Sequence, residues 1–187
     1  MSRHILNLAI RLAIVCAVAA VGLGFTYGVV KDRIAEQERK KRAEAAEVVL
    51  APIDAQPQED PELAASLQED YPDLEGVFEG VDSSGDVIGY AFVLKSKGYN
   101  LITMAVGVDG NGQVTGVKVV TNEETPSLGK PVAEDPDFLG QFDGKGPELL
   151  SLGEDVDAAS SATFTSRGIT NGVNMALEIW KTLEGNI

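Results

Sequence analysis

Histidine and cysteine are almost missing from this 187-residue sequence, with His4 and Cys16 the only examples. A single cysteine makes no intramolecular disulfide, and no thiolate metal cluster or iron–sulfur centre can be assembled from it. A single histidine excludes histidine-based zinc sites and Ser-His-Asp or Cys-His catalysis within this chain. Positive charge is scarce beyond the first 42 residues. There, seven Lys/Arg face twenty-six Asp/Glu, whereas residues 1–42 hold eight against three. So acidic a domain is repelled by phosphate backbones, which argues against nucleic acid as a partner. If the domain does chemistry, the reactive group arrives from outside.

What is present starts with an uncharged run, "LAIVCAVAAVGLGFTYGVV", from Leu12 to Val30. At a rise of about 1.5 Å per residue it is long enough to cross a bilayer core. A cleaved signal peptide is the alternative, with "AVA" at 17–19 as a faint cleavage site. The run continues well past that point, which favours a retained anchor. Lys31, Arg33, Arg39, Lys40, Lys41 and Arg42 follow the span, against Arg3 and Arg11 before it. Read alone, that asymmetry places the acidic domain in the cytoplasm. "KDRIAEQERKKRAEAAEVVLAPI" continues as a solvated helix. "DAQPQEDPELAASLQEDYPDLEG", with three prolines, reads as a connector holding one short helix at most.

Period-two alternation begins near Val77. "GVFEGVDSSGDVIGYAFVLKSKGY" predicts two strands joined by a turn at Ser83–Asp86. "NLITMAVGVDGNGQVTGVKVVTNEE" repeats the scheme, its first strand ending at Asp109 before the tight turn "GNG". Two adjacent hairpins imply an antiparallel sheet with one face needing cover. The C-terminal segment is that cover, because Ile169, Val173, Ala176, Leu177, Trp180 and Leu183 follow helical spacing. An earlier helix takes in "DFLGQF", and "GKGPELLSLGED" reads as loop. The expected fold class is α+β, an N-terminal transmembrane helix followed by antiparallel β-hairpins packed against helices. The expected division is an anchor at 1–33, a charged helical stalk and connector at 34–75, and a globular domain at 76–187.

Two short motifs stand out. In "ETPSLG", Glu124 to Gly129, Pro126 fixes one backbone angle and Gly129 permits an unusual one. A plain turn and a ligand loop both satisfy that pattern. In "SSATFTS", the hydroxyls of Ser160, Ser161, Thr163, Thr165 and Ser166 crowd the start of the last helix. Capping needs only one of them and contributes about 1 kcal/mol. A helix N-terminus with free N–H groups, hydroxyls and little bulk also suits a phosphate.

"DAASSATFT", Asp157 to Thr165, resembles the flavinylation motif of the FMN-binding domain family, D-x-x-[ST]-G-A-T-x-[ST], and "ETPSLG" is similar to that family's "ETPGLG". The order of membrane helix, acidic connector, two hairpins, Glu-Thr-Pro loop and hydroxyl motif is also the family's. The resemblance covers nearly the whole chain. Within the family it points to the G subunits of Rnf electron-transport complexes, which are related to the C subunits of sodium-translocating NADH:quinone reductases. Ser161 and Ser127 stand where the family usually has glycine. At a positive backbone angle such a serine costs about 1 kcal/mol or more.

The resemblance implies that Thr165 carries FMN through a phosphoester bond. A separate flavin transferase would install it, taking the FMN portion of FAD and releasing AMP. It further implies that Asp157, Ser160, Ser161, Ala162 and Thr163 shape the acceptor loop, and that Tyr99, Glu124, Thr125, Pro126 and Leu128 lie nearest the flavin ring. The implied role is a relay, not catalytic alone, among the membrane subunits of an Rnf-type complex. In such complexes electrons pass between reduced ferredoxin and NAD, coupled to sodium or proton translocation. The family places this domain on the extracytoplasmic side of the cell (inner) membrane, against the Lys/Arg asymmetry; long domains translocate largely regardless of charge. Two other readings are an FMN domain of another membrane electron-transfer or regulatory system, and a cofactor-free membrane-anchored interaction module whose acidic surface meets the partner.

Overall fold

Along residues 90–94 and 104–108 the sequence alternates larger and smaller apolar residues, and this alternation builds the centre of an antiparallel meander. The computed structural model describes residues 2–127 and 129–184. The chain divides into two units, Met1–Lys40 and Lys41–Ile187. Helix α1, Ser2–Leu50, contains a stretch long and apolar enough to cross a membrane, with mean hydropathy 2.3. The second unit takes in the last turns of α1 and everything that follows.

Five strands lie in sequence order: β1 (Gln56–Glu59), β2 (Leu74–Val81), β3 (Val87–Lys97), β4 (Leu101–Asp109) and β5 (Val114–Asn122). The two expected hairpins are β2–β3 and β4–β5, and both turns use one device. Asp82 Oδ1 accepts from the N–H groups of Ser84 and Asp86, and Asp109 Oδ1 accepts from those of Asn111 and Gln113. A carboxylate that binds two turn amides stands in for a backbone turn. The connector holds its expected short helix, α2 (Pro61–Leu67), started by Asp60, whose side chain accepts from Glu62 N and Leu63 N. It also holds β1, an edge strand beyond the two expected hairpins. "QPQE" shows no apolar alternation, and its pairing with β2 is supplied by backbone alone.

Helix α5, Thr163–Leu183, covers one face, and all six residues expected on its apolar side are buried. Under it lie the cross-strand pairs Phe92–Val106 and Leu94–Met104. One face in need of cover was the expectation; the structure covers both. Ala45, Ala46, Val49 and Leu50 from the end of α1 pack on the opposite face against Ala91, Val93 and Ala105. These turns of α1 are therefore not the solvated helix their composition suggests. Small residues on both sides let helix and sheet approach closely, so few large apolar residues are needed to mark the contact. Arg42 ties the same turns to β2 through a 2.8 Å ion pair with Glu75, which also pairs with Lys95.

Two short helices, α3 (Gly129–Ala133) and α4 (Pro136–Leu139), follow β5, and a 3-10 turn covers Gly140–Phe142. The expected helix around "DFLGQF" is thus present, with Phe138 and Phe142 in the core, edge to face at 5.8 Å.

Candidate functional site

Three segments meet at the N-terminal end of α5: the β3–β4 turn, the stretch after β5, and the first turn of α5 itself. Backbone contact brings them together. A Cβ on Gly168 would stand 2.7 Å from both N and Cα of Gly98, and Ser96 Oγ donates to the Gly168 carbonyl at 2.7 Å. The helix therefore lies directly on the end of β3. Thr165, one turn earlier on the same face, is set beside Gly98, whose own Cβ position would lie 3.1 Å from Thr165 Cα.

Glu124 fastens the second segment to the first. It is 4% exposed, and its Oε1 accepts from the N–H groups of Tyr99 (2.8 Å) and Asn100 (3.0 Å). Asn122 Oδ1 accepts from Glu124 N at 2.9 Å and orients the residue. Burial of a carboxylate is costly unless such donors reach it. Gly129 closes the arrangement. A Cβ there would collide with Glu124 Oε2 and stand 2.6 Å from Thr165 Oγ1, so only glycine lets these two oxygens share that space.

The crowded hydroxyls can now be sorted. α5 begins at Thr163, with Ala162 at the N-cap position and no side-chain cap, so capping does not explain the cluster. Ser166 is fully buried. Its Oγ accepts from Ala159 N and donates to the Ala162 carbonyl, pinning the preceding loop to the first turn. Ser160, Ser161 and Thr163 are exposed. Thr165 differs from all of them, being 2% exposed with no hydrogen-bond partner for Oγ1 among the described residues. The motif suggests hydroxyls placed ahead of the helix; Thr165 in fact lies within its first turn.

A cavity of about 330 Å³ opens over this hydroxyl, lined by Tyr99, Glu124, Thr125, Gly129, Ser161, Ala162, Thr163, Phe164 and Thr165. Seven of the expected site residues therefore meet on one wall: Tyr99, Glu124, Thr125, Ser161, Ala162, Thr163 and Thr165. Pro126 is exposed beside the wall, and Leu128 lies outside the described residues. Asp157 and Ser160 are off the wall, on the loop leading to it; Asp157 N donates to Gln141 Oε1. Phe164 was not expected. It is 64% exposed at the cavity rim, as Tyr99 is at 67%, and occupies a motif position that admits any residue, so nothing in the sequence marks it.

Ser161 has φ of 68°, the left-handed region that favours glycine, and it is one of the two serines standing where the resembled motif has glycine. The other, Ser127, is not among the described positive-φ residues. The strain anticipated for these substitutions falls on Ser161.

A hydroxyl on the cavity wall without a partner among the described residues, the uncapped start of a 21-residue helix and two aromatic rims suit a planar ligand that ends in phosphate. The residues present thus fit FMN.

Comparison with known proteins agrees with this geometry. The FMN-binding domain family matches residues 98–178, and the RnfG N-terminal region family matches residues 1–49. The G subunit of an ion-translocating oxidoreductase complex from Methanosarcina acetivorans is 28% identical, covering 98% of each chain. The G subunit of a Na(+)-translocating ferredoxin:NAD(+) oxidoreductase complex from Acetobacterium woodii is 29% identical over 96% of this chain and 93% of its own. The G subunit of an ion-translocating oxidoreductase complex from Stutzerimonas stutzeri is 31% identical over 91% of this chain and 78% of its own.

Proposed function

The chain belongs to the family of G subunits of ion-translocating oxidoreductase complexes, and from that premise we propose that it relays electrons through an FMN esterified to Thr165. The observation that carries this reading is Thr165 itself: 2% exposed, its hydroxyl without a hydrogen-bond partner among the described residues, and on the wall of a cavity at the start of α5. Bound there, FMN supplies the redox chemistry that no side chain of this domain possesses. The polypeptide holds and surrounds it. The first-turn N–H groups of α5 and its positive dipole end favour the phosphodiester charge. Tyr99, Phe164, Thr125 and Glu124, all on the cavity wall, would hold the isoalloxazine ring. A phosphate linkage leaves the ring unaltered, so packing and nearby charge set its properties.

The complex is a membrane Rnf-type ferredoxin:NAD oxidoreductase, with the electron path coupled to sodium or proton translocation. α1 anchors the chain in the cell membrane, and the domain faces the extracytoplasmic side. A flavin transferase loads it from FAD, and the remaining subunits are its partners.

The test is direct. Denatured protein from a transferase-positive host gives a fluorescent gel band and a mass gain of one FMN on the peptide holding Thr165. Thr165→Ala and Thr165→Val abolish both. A band that persists in those variants rules out Thr165 as the acceptor. Protease added to intact spheroplasts cleaves the domain; full protection reverses its side. Co-purification brings down the other membrane subunits.

A further inference from the structure

We propose that Glu124 is the proton acceptor that activates Thr165 Oγ1 while the flavin phosphate is attached. This chain then supplies part of the chemistry of its own modification. The inference rests on the phosphoester reading above.

Three observations lead to it. Thr165 is 2% exposed, so an incoming phosphorus reaches Oγ1 only through the cavity that Thr165 lines. Whatever enzyme delivers the flavin, the attack takes place against this wall. The wall holds two ionisable side chains, Tyr99 and Glu124. Tyr99 is 67% exposed at the rim, whereas Glu124 is 4% exposed, and its Oε2 and Thr165 Oγ1 both border the space where a Cβ on Gly129 would stand. Finally, the carboxylate is divided in its duties. Oε1 takes both N–H donors of the β3–β4 turn, and Oε2 accepts nothing from a described residue. One oxygen fixes the group and the other is left for a proton. Purely structural stapling accounts for Oε1 but not for the side of Glu124 that faces Thr165.

The step balances without electron transfer. Thr165 Oγ1 attacks the flavin-side phosphorus of a flavin dinucleotide brought by the transferase. The Oγ1–P bond forms, the P–O bond of the pyrophosphate bridge breaks, and AMP leaves with the bridging oxygen. The hydroxyl proton passes to Glu124 Oε2 and from there to water. General-base assistance of this kind contributes about 10²–10⁴-fold in rate.

The experiment uses full-length chain purified from a host without the transferase, then mixed with transferase, FAD and magnesium. Covalent fluorescence is followed in time. Glu124→Gln keeps the Oε1 acceptor for both turn amides and replaces Oε2 with an amide. Its kcat for loading falls by about 10²-fold or more, with KM for the acceptor chain and the melting temperature unchanged. Glu124→Gln loading as fast as wild type overturns the proposal, because the transferase then brings its own base. Loss that appears in KM together with a lowered melting temperature also overturns it, by showing a structural role. As a second arm, Glu124→Ala leaves room for a small carboxylate. Added formate, but not chloride, restores its loading, and a folded alanine variant that formate fails to rescue overturns the proposal. Wild-type chain that takes up no flavin, or Thr165→Val that takes up as much as wild type, sinks the phosphoester reading and this inference together. Normal loading of Glu124→Gln beside a blank Thr165→Val sinks this inference alone.

Discussion

The two faces of the sheet are built on opposite terms. Toward α5 the strands present Phe92, Leu94, Met104 and Val106, and volume fills the space. Toward the end of α1 they present Ala91, Val93, Ala105 and Gly107, and proximity replaces volume. A Cβ on Gly107 would stand 2.6 Å from the Val49 carbonyl oxygen. One face therefore suffers when atoms are removed, the other when atoms are added. Alternation in β3 and β4 writes both rules into the same strands, one residue out of step.

The largest test of that contrast is Phe92→Ala. Phe92 is fully buried under α5, and the truncation costs about 3–5 kcal/mol, read as a fall in the urea midpoint of the full chain in detergent. A loss below about 1 kcal/mol would mean that the α5 face is not the volume-filled one. Next is Gly107→Val, which adds atoms where α1 meets β4 and costs about 1–3 kcal/mol through displacement of the helix. An unchanged midpoint would erase the difference between the faces.

Ser161→Gly sharpens the comparison where α5 starts. Relief of the left-handed strain, about 1–2 kcal/mol, is partly offset by the wider freedom of glycine in the unfolded chain. The net is a stabilisation of about 0.5–1 kcal/mol, seen as a raised melting temperature with flavin loading retained.

The smallest effect lies on neither face. The N–H groups of Asp86 and Ser84 hold the Asp82 carboxyl below its ordinary range. A depressed pKa contributes stability that is present above the unfolded value, near pH 4, and is lost as pH falls through the folded value. Asp82→Asn, which has no such titration, flattens the acid limb of the stability curve slightly. An unchanged limb removes Asp82 from the account.

The same contrast explains what the sequence made legible. The α5 face is visible because large residues recur at helical spacing from Ile169 to Leu183, and the hairpins because their turns are marked by Asp and Gly. Residues 41–50 escape because alanine marks a close contact as readily as a solvated helix. β1 escapes because "QPQE" is held by ladder hydrogen bonds, to which side-chain pattern is indifferent. At the site, motif positions pointed to Thr165 and Glu124, whereas their placement around one cavity depends on Gly129 and on Gly168 against Gly98. Those are absences of a side chain, and they acquire meaning only once distant segments meet. Phe164 had no signal at all.

Trp180 is the only tryptophan in the chain, and it lies on the same helix as Thr165. Fifteen residues of α-helix separate them by about 22 Å along the axis. Flavins absorb where indole emits, so a flavin on Thr165, as proposed, would make this helix a native optical ruler with its donor already installed. Quenching of that emission as the chromophore is attached would report maturation in real time, with no label added to the protein.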